Sequence, residues 1–326
     1  MVLVELVTLV IFVVILAKAS EVVVDNASEL ATFFGIGQLA IGMLLIAMAT
    51  SLPELSVSVA SATANQGAIA AGNVFGSNIA NILLIIGLAA AIYGFKVKKE
   101  VLPDLALVLL LTTIISAYII YHSVIMGSAL GFSEGALLLL IAVWYGNRML
   151  SKKKMDGDGN GREITKHEAL RHFLFFGAGV VLVIVSSNFV VDSAVKLADS
   201  AGLAKSFIGA TIIAIGTSLP ELSIDLQAIR KKRYGLALGD AIGSNMANLT
   251  LVLGAAAAIN PIYVQLGVFM AALLFAVVAN MIFMYLAVVK KQFGRSEGLL
   301  MLAVYAIYLI VIFYLQFSDA GIAALA

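Results

Sequence analysis

The hexapeptide A-T-S-L-P-E at 49–54 returns as G-T-S-L-P-E at 216–221, each time inside an otherwise apolar stretch. Two of the chain's 4 prolines, Pro53 and Pro220, belong to these copies. A proline inside a helix has no N–H to bond four residues back, so the carbonyls of Ala49 and Gly216 lose their usual partners. Within a membrane such a break persists only where protein buries it or where it lines a wet cavity. A glutamate beside the break is costly there unless it is used. Two matched breaks, each carrying hydroxyls and a carboxylate, predict a two-halved cation site near the middle of a bilayer.

Composition sets the class. Hydrophobic residues make up 62% of the chain and charged residues 12%, against about 45–50% and 25% in soluble proteins. A net charge of +1 gives no basic surface for nucleic acid, and the absence of cysteine excludes disulfides and thiolate metal sites. His122, His167 and His172 have no partner at ligand spacing, and they read as loop or loop-edge residues. No cofactor is expected.

Ten apolar segments divide the 326 residues: 2–20, 36–63, 68–93, 102–121, 132–150, 170–194, 203–229, 235–259, 264–289 and 297–316. Each suits a spanning helix of about 20 residues. Ala17-Lys18-Ala19 follows the first apolar run, but no basic residue precedes that run as a signal peptide requires, so it reads as a retained helix. With the amino terminus outside, only Lys196 and Lys205 of the 20 basic residues fall on the outer side. The positive-inside rule then places both termini outside and the polar stretch 151–168 in the cytoplasm.

One offset of 167 aligns Asp25 with Asp192, Thr50 with Thr217, Glu54 with Glu221, Asn78 with Asn245 and Gly87 with Gly254. Later, Ser133-Glu134-Gly135 matches Ser296-Glu297-Gly298 at an offset of 163. Each half holds five predicted helices, and an odd number reverses the direction of the second half. The expected fold is an all-α membrane protein of ten transmembrane helices in two inverted five-helix repeats. The halves are 1–150 and 169–326, joined by the linker 151–168. Inverted repeats of this kind typify secondary transporters.

Each half brings two polar clusters. Thr50, Ser51 and Glu54 are matched by Thr217, Ser218 and Glu221. The segment 72–81, G-N-V-F-G-S-N-I-A-N, is matched by 239–248, G-D-A-I-G-S-N-M-A-N. On a helix, Ser77 shares a face with Asn81, and Ser244 with Asn248. The set is all oxygen, suited to calcium or sodium. The glycines at 72, 76, 239 and 243 read as helix-packing residues. Two glutamates are neutralised by one divalent cation, two monovalent ions or two protons, which favours exchange over leak. Asp225 and Asp240 break the symmetry, standing where the first half has Ser58 and Asn73. They read as proton-linked groups or an ion relay, or as carboxylates at a water-filled vestibule, or as partners to Arg230 or Lys231.

The paired T-S-L-P-E and G-S-N-x-x-N segments resemble the two alpha repeats of the sodium/calcium exchanger family, in its short prokaryotic form, over essentially the whole chain. The resemblance implies an antiporter that exchanges sodium for calcium across the cell membrane. It implies a calcium site of Glu54, Glu221 and the carbonyls of Thr50 and Thr217. Flanking sodium sites would use Ser51, Ser77, Ser218 and Ser244 with the carbonyls of Ala47 and Ala214. Asn81 matches the family, whereas Asn248 departs from members that carry aspartate there. A proton/calcium exchanger would use the same two glutamates with fewer sodium ligands.

Two weaker signals remain. Asp156, Asp158 and Asn160 match the start of an EF-hand loop, but the closing glutamate, Glu168, comes one place late. The bland reading is a Gly/Asp linker. Leu238-Gly239-Asp240 faintly resembles the G-x-G-D of intramembrane aspartyl proteases, yet residue 237 is alanine, so no enzyme is expected. The expected partners are membrane lipid and inorganic cations. Oligomeric state is not legible.

Overall fold

The structure, a computed structural model, describes residues 2–99, 102–122, 129–151, 164–200, 216–262 and 266–323. These residues are almost entirely helical. In chain order the helices are α1 (Val2–Phe34), α2 (Gln38–Thr50), α3 (Leu52–Thr63), α4 (67–93), α5 (Leu102–Ile120) and α6 (Phe132–Leu150). They continue as α7 (Lys166–Ser200), α8 (Leu219–Arg230), α9 (Tyr234–Ile259), α10 (266–290) and α11 (Arg295–Ala323). Two short strands, β1 (Phe95–Lys96) and β2 (Gln292–Phe293), pair antiparallel.

Among the described residues, 7 helices are long and apolar enough to cross a membrane: α1, α4, α5, α7, α9, α10 and α11. The broken pair α2 and α3 brings the number to 8. The expected segment 132–150 is helix α6, whose ends carry Glu134 and Arg148. Of the expected segment 203–229, the part 203–215 lies outside the described residues.

Several helices outrun their apolar segments. α1 continues to Phe34 rather than stopping near residue 20. No proline or glycine interrupts 2–34, and the chain turns only at Gly35, whose φ of +64° suits glycine. Two of the acids beyond residue 20 are met by one neighbour: Lys231 lies 2.6 Å from Asp25 and 3.1 Å from Glu21. Likewise α7 begins at Lys166, inside the expected linker. Thr165 and Glu168 form its capping box, with Thr165 N–H donating to Glu168 Oε2 at 2.9 Å and Glu168 N–H to Thr165 Oγ1 at 3.3 Å. His172 therefore lies within a helix rather than in a loop, and its Nδ1 meets Asn26 Oδ1 at 2.8 Å.

The chain forms two compact units, Met1–Pro53 with Arg148–Ala241, and Glu54–Asn147 with Ile242–Ala326. In the first, α1 and α7 pack along one another, and Gly179 leaves room for Val23. α2 crosses the start of α9 backbone to backbone. A Cβ on Gly42 would lie 2.9 Å from Gly239 Cα, and one on Gly239 would lie 2.9 Å from Gly42 Cα.

In the second unit, pairs of contacts recur at the repeat offsets. Gly298 admits the backbone of Gly87 and Ala91, while Gly135 admits that of Gly254 and Ala258. Phe95 pairs with Phe293, while Leu130 bridges Ile262. Glu134 and Glu297 cap matched helix starts, accepting from Gly131 N–H at 2.9 Å and Gly294 N–H at 3.1 Å.

Candidate ion-binding site

The polar motifs adjoin irregular turns of the helices. α2 widens into a π-helical turn at Gly42–Ile46, α4 at Ala80–Ile86 and α9 at Asn248–Val252. There the ladder steps five residues, as when Ala47 N–H reaches Gly42 O and Leu253 N–H reaches Asn248 O. Single π turns of this kind concentrate at functional sites. α2 ends at Thr50, and α3 starts at Leu52, just before Pro53. α8 starts at Leu219, just before Pro220. The break between α2 and α3 thus falls where Pro53 predicts it; residues 201–215, before Pro220, lie outside the described residues.

In the first unit, Thr50, Ser51, Ser218, Glu221, Asp225 and Asp240 are all buried. Thr50 Oγ1 lies 3.1 Å from Asp240 Oδ1 and 3.3 Å from the Ala47 carbonyl. Ser51 N–H also donates to Ala47 O, at 3.0 Å. The Ala47 carbonyl is thus engaged within its own helix. Among the described residues the hydroxyls of Ser51 and Ser218 have no hydrogen-bond partner. A buried hydroxyl left so costs about 1–3 kcal/mol, and a bound cation or water would remove that penalty. Asp225 sits against Asp240 with Glu221 nearby. Lys231 does not serve Asp225, because its ammonium is held by Asp25 and Glu21. Thr217 is half-buried, and Ala214 lies outside the described residues.

In the second unit, Glu54 and Ser244 are fully buried and Ser77 nearly so. Ser77 Oγ is 3.5 Å from Glu54 Oε1. Asn73, which carries no site role in the sequence reading, donates to the Glu54 carbonyl at 3.2 Å and to Ser58 Oγ at 3.0 Å. It steadies the backbone next to the carboxylate. Asn81 and Asn248 are brought together through Asn78 and Asn245, whose place in the motif gives no hint of that role. Asn81 Nδ2 donates to Asn245 Oδ1 and Asn248 Nδ2 to Asn78 Oδ1, both at 3.1 Å.

The packing role of the glycines is uneven. Gly239 is pressed against α2, whereas Gly76 faces only the Tyr308 hydroxyl, at 3.8 Å, and Gly72 meets nothing within 4 Å among the described residues. The EF-hand-like residues Asp156, Asp158 and Asn160 lie outside the described residues. Glu168, the late closing acid of that loop, is the capping residue of α7.

A family model for sodium/calcium exchanger proteins matches residues 4–146 and 171–314. The chain belongs to the sodium/calcium exchanger family. The inner membrane protein YrbG of Escherichia coli is 32% identical over 320 residues, covering 94% of this chain and 96% of that protein. The sodium/calcium exchanger MaX1 of Methanosarcina acetivorans is 26% identical over 338 residues, covering 93% and 96%. Among solved structures, the sodium-calcium exchanger NCX_Mj superposes with a TM-score of 0.81 at 26% identity, covering 95% of this chain and 99% of that one. The chain is accordingly a multi-span membrane protein of a cation/calcium exchanger family, and its buried carboxylates, hydroxyls and amides are the ligand types such an exchanger needs.

Proposed function

We propose that this exchanger moves calcium across the cell membrane against sodium by alternating access. The observation that carries the reading is the doubled oxygen set: each copy of T-S-L-P-E brings a buried glutamate and a buried serine hydroxyl with no hydrogen-bond partner among the described residues. Glu54 and Glu221 bind calcium with the carbonyls of Thr50 and Thr217. Ser51, Ser77, Ser218 and Ser244, the carbonyls of Ala47 and Ala214, and the amides of Asn81 and Asn248 serve sodium and complete the shells. Support comes from the relatives, since NCX_Mj was solved after soaking in sodium and in calcium or strontium. MaX1 carries the name sodium/calcium exchanger.

The architecture that goes with this reading is ten spans in two inverted halves, 1–150 and 169–326, with both termini outside. The paired contacts at the repeat offsets, Gly87 with Gly298 and Gly254 with Gly135, support it. α1 and α7, packed along one another, move as a pair to expose the ions to either side.

One observation favours protons as a second counter-ion. Asp225 and Asp240 are in contact and buried. Two ionised carboxylates this near one another repel, and a proton or a cation bound there would relieve the repulsion.

The test is radioactive calcium uptake into proteoliposomes loaded with sodium, against potassium, choline or acid loading, with Glu54→Gln and Glu221→Gln alongside. Uptake that needs internal sodium and vanishes in both variants is expected. Uptake driven by a pH gradient without sodium would replace sodium with protons. No calcium flux under any gradient would overturn the ion assignment.

A further inference from the structure

We infer that Asn78 and Asn245 are positioning residues that lock the amides of Asn81 and Asn248, so that each presents its oxygen to a bound cation. The inference rests on the ion-binding reading above and goes beyond it by assigning work to residues outside the ligand set.

The lock is a closed exchange between α4 and α9 within the second unit. Asn78 Nδ2 donates to the carbonyl of Asn245 at 3.2 Å, and Asn245 Nδ2 donates to the carbonyl of Asn78 at 3.1 Å. A backbone carbonyl only accepts. Each of these two amides must therefore turn its NH2 group toward the opposite backbone, which leaves its Oδ1 on the other side. Those oxygens are the acceptors for Asn248 Nδ2 and Asn81 Nδ2, each at 3.1 Å. Flipping Asn81 would set oxygen against oxygen, and the same holds for Asn248. The chain of logic starts at groups that cannot flip and fixes all four amides.

The outcome is two amide oxygens with one orientation. Oδ1 of Asn81 and Oδ1 of Asn248 have no hydrogen-bond partner among the described residues, and both side chains are at least 99% buried. A buried acceptor left in that state calls for a ligand. Because the NH2 groups are committed, the ligand has to be a donor or a cation. A neutral amide oxygen adds to a hard-cation shell without adding charge.

The π-helical turns explain why the lock sits here. The wider ladder begins at Ala80 in α4 and at Asn248 in α9, two and three residues after Asn78 and Asn245. Widening the ladder disturbs carbonyl partners just before the turn. Asn78 and Asn245 supply each other's carbonyl with a side-chain donor there. One pair of residues thus both permits the irregular backbone and aims the oxygens that the irregular turns display.

The test is a set of double-mutant cycles on sodium-driven calcium uptake, reading the half-saturating concentrations of calcium and sodium apart from the maximal rate. Asn245→Ala is expected to raise the half-saturating concentration of at least one cation by about tenfold, the usual effect of removing a group that orients a ligand. Added to Asn81→Ala it should cost nothing further, while added to Asn248→Ala its effect should persist. Asn78→Ala should show the reverse pattern, silent with Asn248→Ala and additive with Asn81→Ala. A role in helix packing alone would lower the maximal rate or the folded yield, and its effects would multiply with both partners; that result overturns the lock. Asn81→Ala and Asn248→Ala that leave both half-saturating concentrations unchanged, with wild-type uptake intact, would instead overturn the ligand reading beneath it. Asn245→Ser and Asn78→Ser repeat the cycles in the event that an alanine variant does not fold.

Discussion

Thr50 Oγ1 donates to Oδ1 of Asp240 at 3.1 Å, tying the broken end of α2 to α9 inside the first unit. In the first half, Asn73, the repeat counterpart of Asp240, donates to Ser58 Oγ, the counterpart of Asp225, at 3.0 Å, a neutral pair. Asp240 and Asp225 take those places in the second half and sit against each other. The repeat thus holds an amide and a hydroxyl on one side and two carboxyls on the other.

The difference predicts a pH response. Protons that bind the Asp225–Asp240 pair lower the negative charge near Glu221 and weaken cation binding. Sodium-driven uptake should therefore fall on acidification. In Asp225→Ser/Asp240→Asn, which copies the neutral pair, that fall should be shallower, with any uptake driven by a pH gradient alone reduced to background. Uptake measured across buffered proteoliposomes decides it.

The crossing of α2 and α9 tolerates no side chain. A Cβ on Gly42 would meet the carbonyl of Leu236 as well as Gly239 Cα, and both are backbone. Gly42→Ala and Gly239→Ala should each destabilise the protein by about 1–3 kcal/mol, the cost of overpacking. Thermal unfolding in detergent measures this. Gly72→Ala, which meets no described atom within 4 Å, is the contrasting substitution.

Lys231 ties the end of α8 to α1 through Asp25 and Glu21. Partly exposed ion pairs of this kind contribute only about 0–1 kcal/mol, so Lys231→Ala should barely move the melting temperature. It should change the transport rate more than the stability, since α1 is the helix proposed to move. A stability assay and a rate assay on the same preparation separate the two effects.

Asn280 Nδ2 donates to Thr112 at 3.1 Å and to Thr113 at 3.2 Å, linking α10 to α5 within apolar surroundings. Hydrogen bonds between membrane helices average about 0.6 kcal/mol. Asn280→Leu should therefore cost about 1 kcal/mol or less and leave transport intact, checked by unfolding and uptake together.

Much of this was legible in the residues. Pro53 of the doubled motif marks the break between α2 and α3, because the missing N–H acts locally. Glu54 and Glu221 stand out because a carboxylate in an apolar run is too costly to keep without a task. The helix lengths were less legible. Hydropathy ends α1 near residue 20, whereas Lys231, more than 200 positions away in the chain, meets Glu21 and Asp25 beyond it. The π turns were not legible either, because widening by one residue leaves no mark in apolar periodicity. Asn78 and Asn245 read as motif letters until the geometry paired each with the other's backbone. Thr165 and Glu168 do form a capping box in the sequence, and it would have marked the start of α7.

The contacts that close the second unit cross between the chain's two halves. Phe95 reaches Phe293, Leu130 reaches Ile262, Gly87 meets Gly298 and Gly135 meets Gly254. A chain severed within 152–163 would keep every one of them. Two fragments made separately in one cell would each carry half of every staple, and the exchanger would be rebuilt by complementation, with each fragment serving as the other's template.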